Sequence, residues 1–172
     1  MFLSTALPSQ KMDSKEFSIV CAVLSRKVES IALAKLVSHG YYGIDCSIDA
    51  PNTFDALCVA YANKGKLFPV YSEGNDQTIY STPVVNMLAR AWHDLIHIEL
   101  DAEFTLAGES LVADQQSNND IFTTLEKEIL LHEVVSQVKY NIKNGFFPVN
   151  QKQFVLDCIN LGYNDASLIH SV

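Results

Sequence analysis

The segment from Thr82 to Asp101 constrains the fold of this chain more than any other. Thr82-Pro83 is a helix-opening pair, with a capping hydroxyl followed by a proline at the first helical position, and the helix it opens runs to about Asp101. Stepping about 100° per residue places Asn86, Arg90, His93, Asp94, His97 and Asp101 within one arc of roughly 100°. Apart from Glu99, the remaining circumference is apolar, from Val84 and Val85 through Met87, Leu88, Trp92, Leu95 and Ile96 to Leu100. A helix that is apolar over most of its surface has to be enclosed by protein on most sides. The expected architecture is therefore a mainly α, single-domain helical bundle.

The polar stripe on this helix has a plain reading, in which it is the solvent face. Its composition argues otherwise. Solvent faces are rich in Lys, Glu and Gln, whereas this one carries no Lys and instead an Arg, two His and two Asp, residues that pair, titrate or ligate. His93 and His97 stand four residues apart, and Glu109 follows twelve residues after His97, giving the pattern H-D-x-x-H-x₁₁-E. On a helix, residues four apart lie one above the other, so two imidazoles can hold one ion and a carboxylate after a turn can close a His₂Glu site. Asp101 and His132 are the next candidates for the third ligand. Asp94 is placed as a proton acceptor beside the ion or a group that orients a ligand imidazole, and Arg90 as a binder of an anionic substrate group or a partner of Asp94 or Asp101.

The rest of the chain supplies the walls. Asp13 with Glu16 reads as a capping pair, followed by Phe17, Val20, Leu24, Val28, Ile31 and Leu36 at helical intervals, which predicts a first helix over Ser14 to Ser38. Residues 1–12 are expected to be a loosely held N-terminal segment, and Tyr41 to Pro51 a loop. Thr53 caps a short helix to about Asn63. Two short β-prone runs, Leu67 to Tyr71 and Thr78 to Ser81, allow at most one small hairpin. Gly108 permits the reversal that brings Glu109 back, at the start of another helical stretch, and Gln115 to Asp120 is a polar interruption. Helix is then expected from Ile121 to about Lys143, ended by Gly145 and Pro148, and a last helix from Asn150 to Leu161 stops at Gly162. On the Ile121–Lys143 helix, His132 shares a face with Leu125, Glu128 and Val135 and reads first as a hydrogen-bonded core or boundary residue, while Glu128 and Glu133 read as solvated. His39 and His170 carry no functional signal.

Composition narrows the function classes. With 172 residues, 48% of them hydrophobic and 19% charged, the chain can bury a substantial core and is not a disordered one. A net charge of −8, with no basic cluster longer than Arg26-Lys27, argues against nucleic-acid binding, which needs clustered Lys and Arg to neutralise phosphates. Cys21, Cys46, Cys58 and Cys158 show no CxxC spacing and read as small buried hydrophobes in a reducing compartment. No apolar run is long enough for a membrane span, and the first residues lack the pattern of a signal peptide, so the expected location is the cytoplasm.

The H-D-x-x-H-x₁₁-E string of His93, Asp94, His97 and Glu109 resembles the zinc-ligand motif of the coenzyme Q biosynthesis protein 4 family, which is all-helical and associated with ubiquinone assembly. The resemblance covers 17 of 172 residues. It implies a metal centre of those residues, with Asp94 as the acid near it, and a helical fold. It does not extend to the ubiquinone role, since the chain shows no groove-lining pattern for a polyprenyl tail. The wider string from Arg90-Ala91-Trp92 to Gly108-Glu109 is also similar to small accessory proteins encoded by bacteriophages, which would place the chain in a host cytoplasm.

Three functions follow as expectations. The first is a metal-dependent enzyme of hydrolytic or lyase type acting on a small anionic molecule, with zinc as the first choice of ion and iron(II) or another divalent ion as alternatives, because a His₂Glu set with free positions suits both. The second is a non-enzymatic, acidic, phage-type accessory or inhibitor protein that binds a host protein, its polar stripe serving as a buried network or structural ion site. The third is a small-molecule binding protein using the same pocket without turnover.

Overall fold

The computed structural model describes residues 11–63, 65–74 and 76–171. Helix is the main element, in chain order α1 (Ser14–Ser38), β1 (Ile44–Ser47), α2 (Phe54–Ala62), β2 (Phe68–Tyr71), α3 (Pro83–Leu100), α4 (Leu106–Ser117), α5 (Thr124–Leu131), a π-helical turn (His132–Ser136), α6 (Gln137–Asn144), α7 (Gln151–Leu161) and α8 (Tyr163–Ile169). The mainly α expectation holds. Residues 1–10 of the expected loose N-terminal segment lie outside the described residues, whereas Met12 is held in place. Its N–H donates to Asn160 Oδ1 and its carbonyl accepts from Asn160 Nδ2, both at 2.9 Å.

The helix ends follow from local chemistry. Asp13 caps α1 by accepting from the N–H groups of Lys15 and Glu16, Thr53 caps α2, Thr82 caps α3 ahead of Pro83, and Asn150 caps α7. Phe17, Cys21, Leu24, Val28, Ala32 and Leu36 form the buried stripe of α1, which packs along α3. From α3 the same core takes Leu88, Ala89, Ala91, Trp92, Leu95 and Ile96. Burial of each large apolar side chain is worth about 1.5–3 kcal/mol, so the α1/α3 seam is the main source of stability for the helix that carries the motif. A second, smaller cluster of Tyr140, Phe154, Cys158 and Ala166 joins α6, α7 and α8.

Two departures from the sequence reading matter. The β-prone run at Leu67 does not fold back on Thr78–Ser81. Instead β2 pairs in parallel with β1, Ile44 opposite Phe68 and Ser47 opposite Tyr71, inside the segment expected to be a loop. The pairing buries Phe68 and Val70 against the core, with the Phe68 ring edge-on to Tyr41, a burial that a solvent-facing hairpin could not supply. Cys46, in β1, is exposed rather than buried, while Cys21 and Cys158 are buried as expected and Cys58 is half-buried; all four thiols are free.

The long helix expected from Ile121 to Lys143 starts later, at Thr124, under a reciprocal capping box of Thr123 and Glu126. It is also interrupted by the π-turn at His132–Ser136. A π-turn inserts an extra residue and rotates everything after it by about 100° relative to an ideal helix. The face assigned to His132 and Val135 by a 3.6-residue wheel is for that reason displaced. The residues buried after the turn are Ser136, Gln137 and Tyr140. Gly162, at positive φ, separates α7 from α8, a helix the sequence reading did not contain.

Candidate metal centre

The polar stripe of α3 does not face solvent. Asn86 is 3% exposed and His97 0%, while Arg90, His93 and Asp94 are half-buried; of the six stripe residues Asp101, at the helix end, is exposed. The stripe points toward α4, which itself packs on the π-turn, and α4 is what completes the site.

The turn between α3 and α4 is built to return the chain tightly. Asp101 takes the left-handed conformation, φ 50° and ψ 41°, and lets the Ala102 N–H reach back to the His97 carbonyl at 3.0 Å. The Ala102 carbonyl in turn accepts from His97 Nδ1 at 2.7 Å, so the helix-ending turn also fixes the ring of the second histidine. Thr105 caps α4 by accepting from the Gly108 N–H. Gly108 is required here by space: a Cβ at this position would lie 1.9 Å from the Glu103 carbonyl oxygen. That close approach sets Glu109, the next residue, in the first turn of α4 facing α3.

His93, His97 and Glu109 converge among the described residues as a group that could hold a metal ion. The His93 and His97 Nε2 atoms are 2.9 Å apart, and Glu109 Oε2 lies 3.0 Å from the first and 3.6 Å from the second. Ligands about 2.0–2.1 Å from a common ion stand about 3.3 Å apart at tetrahedral angles and about 2.9 Å apart at right angles, so these edges fit either geometry. The tautomers fit as well. His97 Nδ1 faces the Ala102 carbonyl, and His93 Nδ1 faces Gln116 Oε1 at 3.3 Å. The Ala102 carbonyl can only accept, so His97 carries its proton on Nδ1 and turns its Nε2 lone pair into the space shared with a carboxylate oxygen, and His93 takes the same tautomer where Gln116 presents its amide oxygen. Such a set of three acceptors is repulsive unless a cation sits among them, either a metal ion or a proton.

The electrostatics express the same demand. Burial by itself would raise Glu109, but its contacts with His93 and His97 hold it down to about 2. Burial by itself would lower His93, yet the Glu109 carboxylate outweighs it and the net shift is upward. Asp94 is pushed up to about 6 by burial, against the pull of His93, His97 and Arg90. The site is therefore an electron-rich pocket that stores positive charge.

The remaining sequence candidates fall elsewhere. Asp101 serves as the helix cap just described and does not join the cluster. His132, which burial shifts downward, pairs through Nδ1 with Ser136 Oγ at 2.8 Å and also stays out of it. Arg90 is bound by neither Asp94 nor Asp101 as first partner. Its Nη1 donates to the Tyr71 and Glu73 carbonyls and its Nη2 to the Gly74 carbonyl, tying the segment after β2 to α3.

A cleft of about 240 Å³ opens onto the cluster, with His93 and Glu109 in its wall and Arg90, Gln116 and Glu133 around it. Three of these wall residues were missed or misplaced by sequence reasoning. Gln116 was assigned to a polar interruption but is a buried residue of α4 that orients His93, and Glu133 was read as solvated. Tyr80 gave no signal at all. A helical wheel through α4 would have shown Gln116 seven residues, two turns, after Glu109 and on its face; nothing in the sequence marks the π-turn that turns Glu133 inward. Compared with protein-family models, with curated proteins and with solved structures, the chain matches none.

Proposed function

We propose that the protein is a divalent-metal-dependent enzyme whose ion is held by His93, His97 and Glu109 and whose substrate is a small anionic molecule. The observation that carries this reading is the convergence of two imidazole Nε2 atoms and one carboxylate oxygen at ligand-edge distances. The donor set of two imidazoles and one carboxylate suits zinc first, and a facial iron(II) site next. The short motif resemblance to the coenzyme Q biosynthesis protein 4 family is in line with the same ligand set, and carries nothing about ubiquinone.

Three protein ligands rather than four, two of them in the wall of a cleft, favour a working site over a purely structural one. A bound divalent ion would supply Lewis acidity for a hydrolytic or lyase step. The protein's own residues do the rest. His97, enclosed and hydrogen-bonded to the Ala102 carbonyl, and His93, in contact with Gln116, are the imidazoles that would hold the ion. Asp94, with its affinity for a proton raised into the neutral range, is suited to accept and return a proton during turnover. The 240 Å³ cleft admits only a small molecule, and the ion with Arg90 gives it a positive bias against the chain's net charge of −8.

The test is metal analysis of the purified protein together with three variants. One equivalent of ion is expected in the parent and in Asp94→Asn, and none in His93→Ala or His97→Ala. Unchanged metal content in both histidine variants would refute the site. Turnover of small carboxylate and phosphate esters that is lost in Asp94→Asn with metal retained establishes the enzyme, whereas a bound ion with no turnover and no cleft ligand leaves a structural site, as in a host-binding accessory protein.

A further inference from the structure

The cleft that receives His93 and Glu109 has a second set of polar groups that the metal centre does not use. Glu133 stands on the π-turn, and its Oε2 accepts from Gln137 Nε2 at 2.7 Å. Arg90 spends three of the five N–H groups of a guanidinium on loop carbonyls, which leaves two for a ligand. Tyr80 adds a hydroxyl to the same wall. Ala89, Val134, Val138 and Phe147 add apolar groups to the same wall.

We propose that Glu133, Arg90 and Tyr80 form a carboxylate-binding subsite in this cleft, which seats a small carboxylic-acid anion with a short apolar body. The inference rests on the metal reading only for what the seated anion would face. The chemistry is that of a donor cluster. Burial pushes the Glu133 carboxyl up to about 8, against the pull of Arg90 and the Gln137 amide, so at neutral pH it carries a proton and can donate it in a hydrogen bond. Burial likewise holds the Tyr80 hydroxyl well above its ordinary range, so it too remains a donor. A carboxylate accepts from O–H and N–H groups at both oxygens, and its hydrogen bonds from a charged guanidinium are among the stronger ones. The charged and titratable groups that share the cleft with Glu133 or act on it are Arg90 and His93 on α3, Glu109 on α4, Tyr80 before α3 and Cys21 on α1, of which Arg90 is the one that acts on it most.

The subsite predicts proton-linked binding. Below about pH 7 the Glu133 carboxyl donates to the anion, and as pH rises through about 8 it ionises and repels it. The probe is butyrate, which stays a monoanion across this range, titrated calorimetrically into the protein at pH 7.0 and 9.5, with sulfate as a comparison anion. The parent is expected to lose about tenfold more affinity between the two pH values than Glu133→Gln, which keeps a donor but cannot ionise. Glu133→Ala is expected to bind butyrate at least tenfold more weakly than the parent at pH 7.0 while its circular dichroism stays native. Equal affinity and equal pH dependence in all three proteins would overturn the subsite, and tighter binding of sulfate than of butyrate would overturn its carboxylate character. Zinc content measured on the same samples separates the two readings: a protein that takes up no zinc yet shows Glu133-dependent butyrate binding refutes the metal centre and leaves the subsite standing, while stoichiometric zinc with butyrate binding indifferent to Glu133 refutes the subsite alone.

Discussion

Replacing Gly108 with alanine sets a general rule of helix stability against one specific contact. In an ordinary helix interior, Gly→Ala stabilises by about 1 kcal/mol, because alanine has less backbone freedom to lose. Gly108 has no positive φ to oppose the change, but the new Cβ would sit 1.9 Å from the Glu103 carbonyl oxygen, a backbone atom that cannot rotate away. Relief to 3.0 Å, the limit of real Cβ contacts, needs a displacement of about 1.1 Å between the start of α4 and the α3–α4 turn. Overpacking of this kind costs about 1–3 kcal/mol, so the net effect runs from about zero to a loss of about 2 kcal/mol where the general rule predicts a gain of about 1. The shift enters one residue before Glu109, whose Oε2 lies 3.0 Å from His93 Nε2. A metal site tolerates about 0.2 Å in its ligand distances, so a movement of this size should weaken metal binding at least about tenfold. Thermal unfolding followed by circular dichroism, with and without one equivalent of zinc, reads both effects. Gly65→Ala is the control, since a Cβ there meets nothing closer than 3.7 Å. A Gly108→Ala protein as stable as the parent, with the same stabilisation by zinc, would show that the tight α3–α4 turn does not position the third ligand.

Asp101→Gly should keep full metal content and leave stability unchanged or raise it by up to about 1 kcal/mol, because Asp101 holds a left-handed conformation that glycine adopts freely; loss of metal would restore Asp101 as a ligand. Gln116→Ala should retain the fold but weaken metal binding about 10- to 100-fold in a chelator competition, since it frees the His93 ring; unchanged affinity would remove Gln116 from the site. Metal affinity should already fall at a pH above the ordinary imidazole range and continue to fall below it, because His93, raised by the Glu109 carboxylate against the effect of burial, gains a proton that competes with the ion; affinity constant down to about pH 5 would contradict imidazole ligation. Glu133→Gln should stabilise the protein by about 1–2 kcal/mol at pH 8 and by almost nothing near pH 4.5. The folded-state value of about 8 exceeds the ordinary 4.5, so native stability declines across that window as the unfolded chain ionises first, with the full effect reduced by partial exposure to solvent. Parallel stability curves for parent and variant from pH 4.5 to 8 would show that Glu133 is not held protonated by the fold.

Much of this protein is legible in local sequence because its local signals agree. The caps at Asp13, Thr53, Thr82 and Asn150 and the apolar spacing of α1 fix helix positions through interactions within one or two turns, and the four-residue spacing of His93 and His97 fixes their shared face. Gly108 beside Glu109 also marks the reversal, since only a residue without a side chain allows so close a return. What depended on partners distant in the chain was not legible. Strand β1 exists because β2 pairs with it, and its four residues carry no strong pattern of their own. Arg90 found the carbonyls of Tyr71, Glu73 and Gly74 rather than the aspartates on its own helix, because the segment after β2 crosses the end of its side chain. Glu133 was turned into the cleft by a π-turn, a change of helical phase by one residue that a periodic reading cannot register. Sequence alone picked out the helix that bears the two histidines and the three residues that converge as a group able to hold a metal ion. Only the packing of α4 against that helix, with the π-turn against α4, decided that the stripe is enclosed, that each Nδ1 meets an oxygen, and that His93 and Glu109 open onto a cleft, because burial and hydrogen-bond partners are properties of elements brought together from far along the chain.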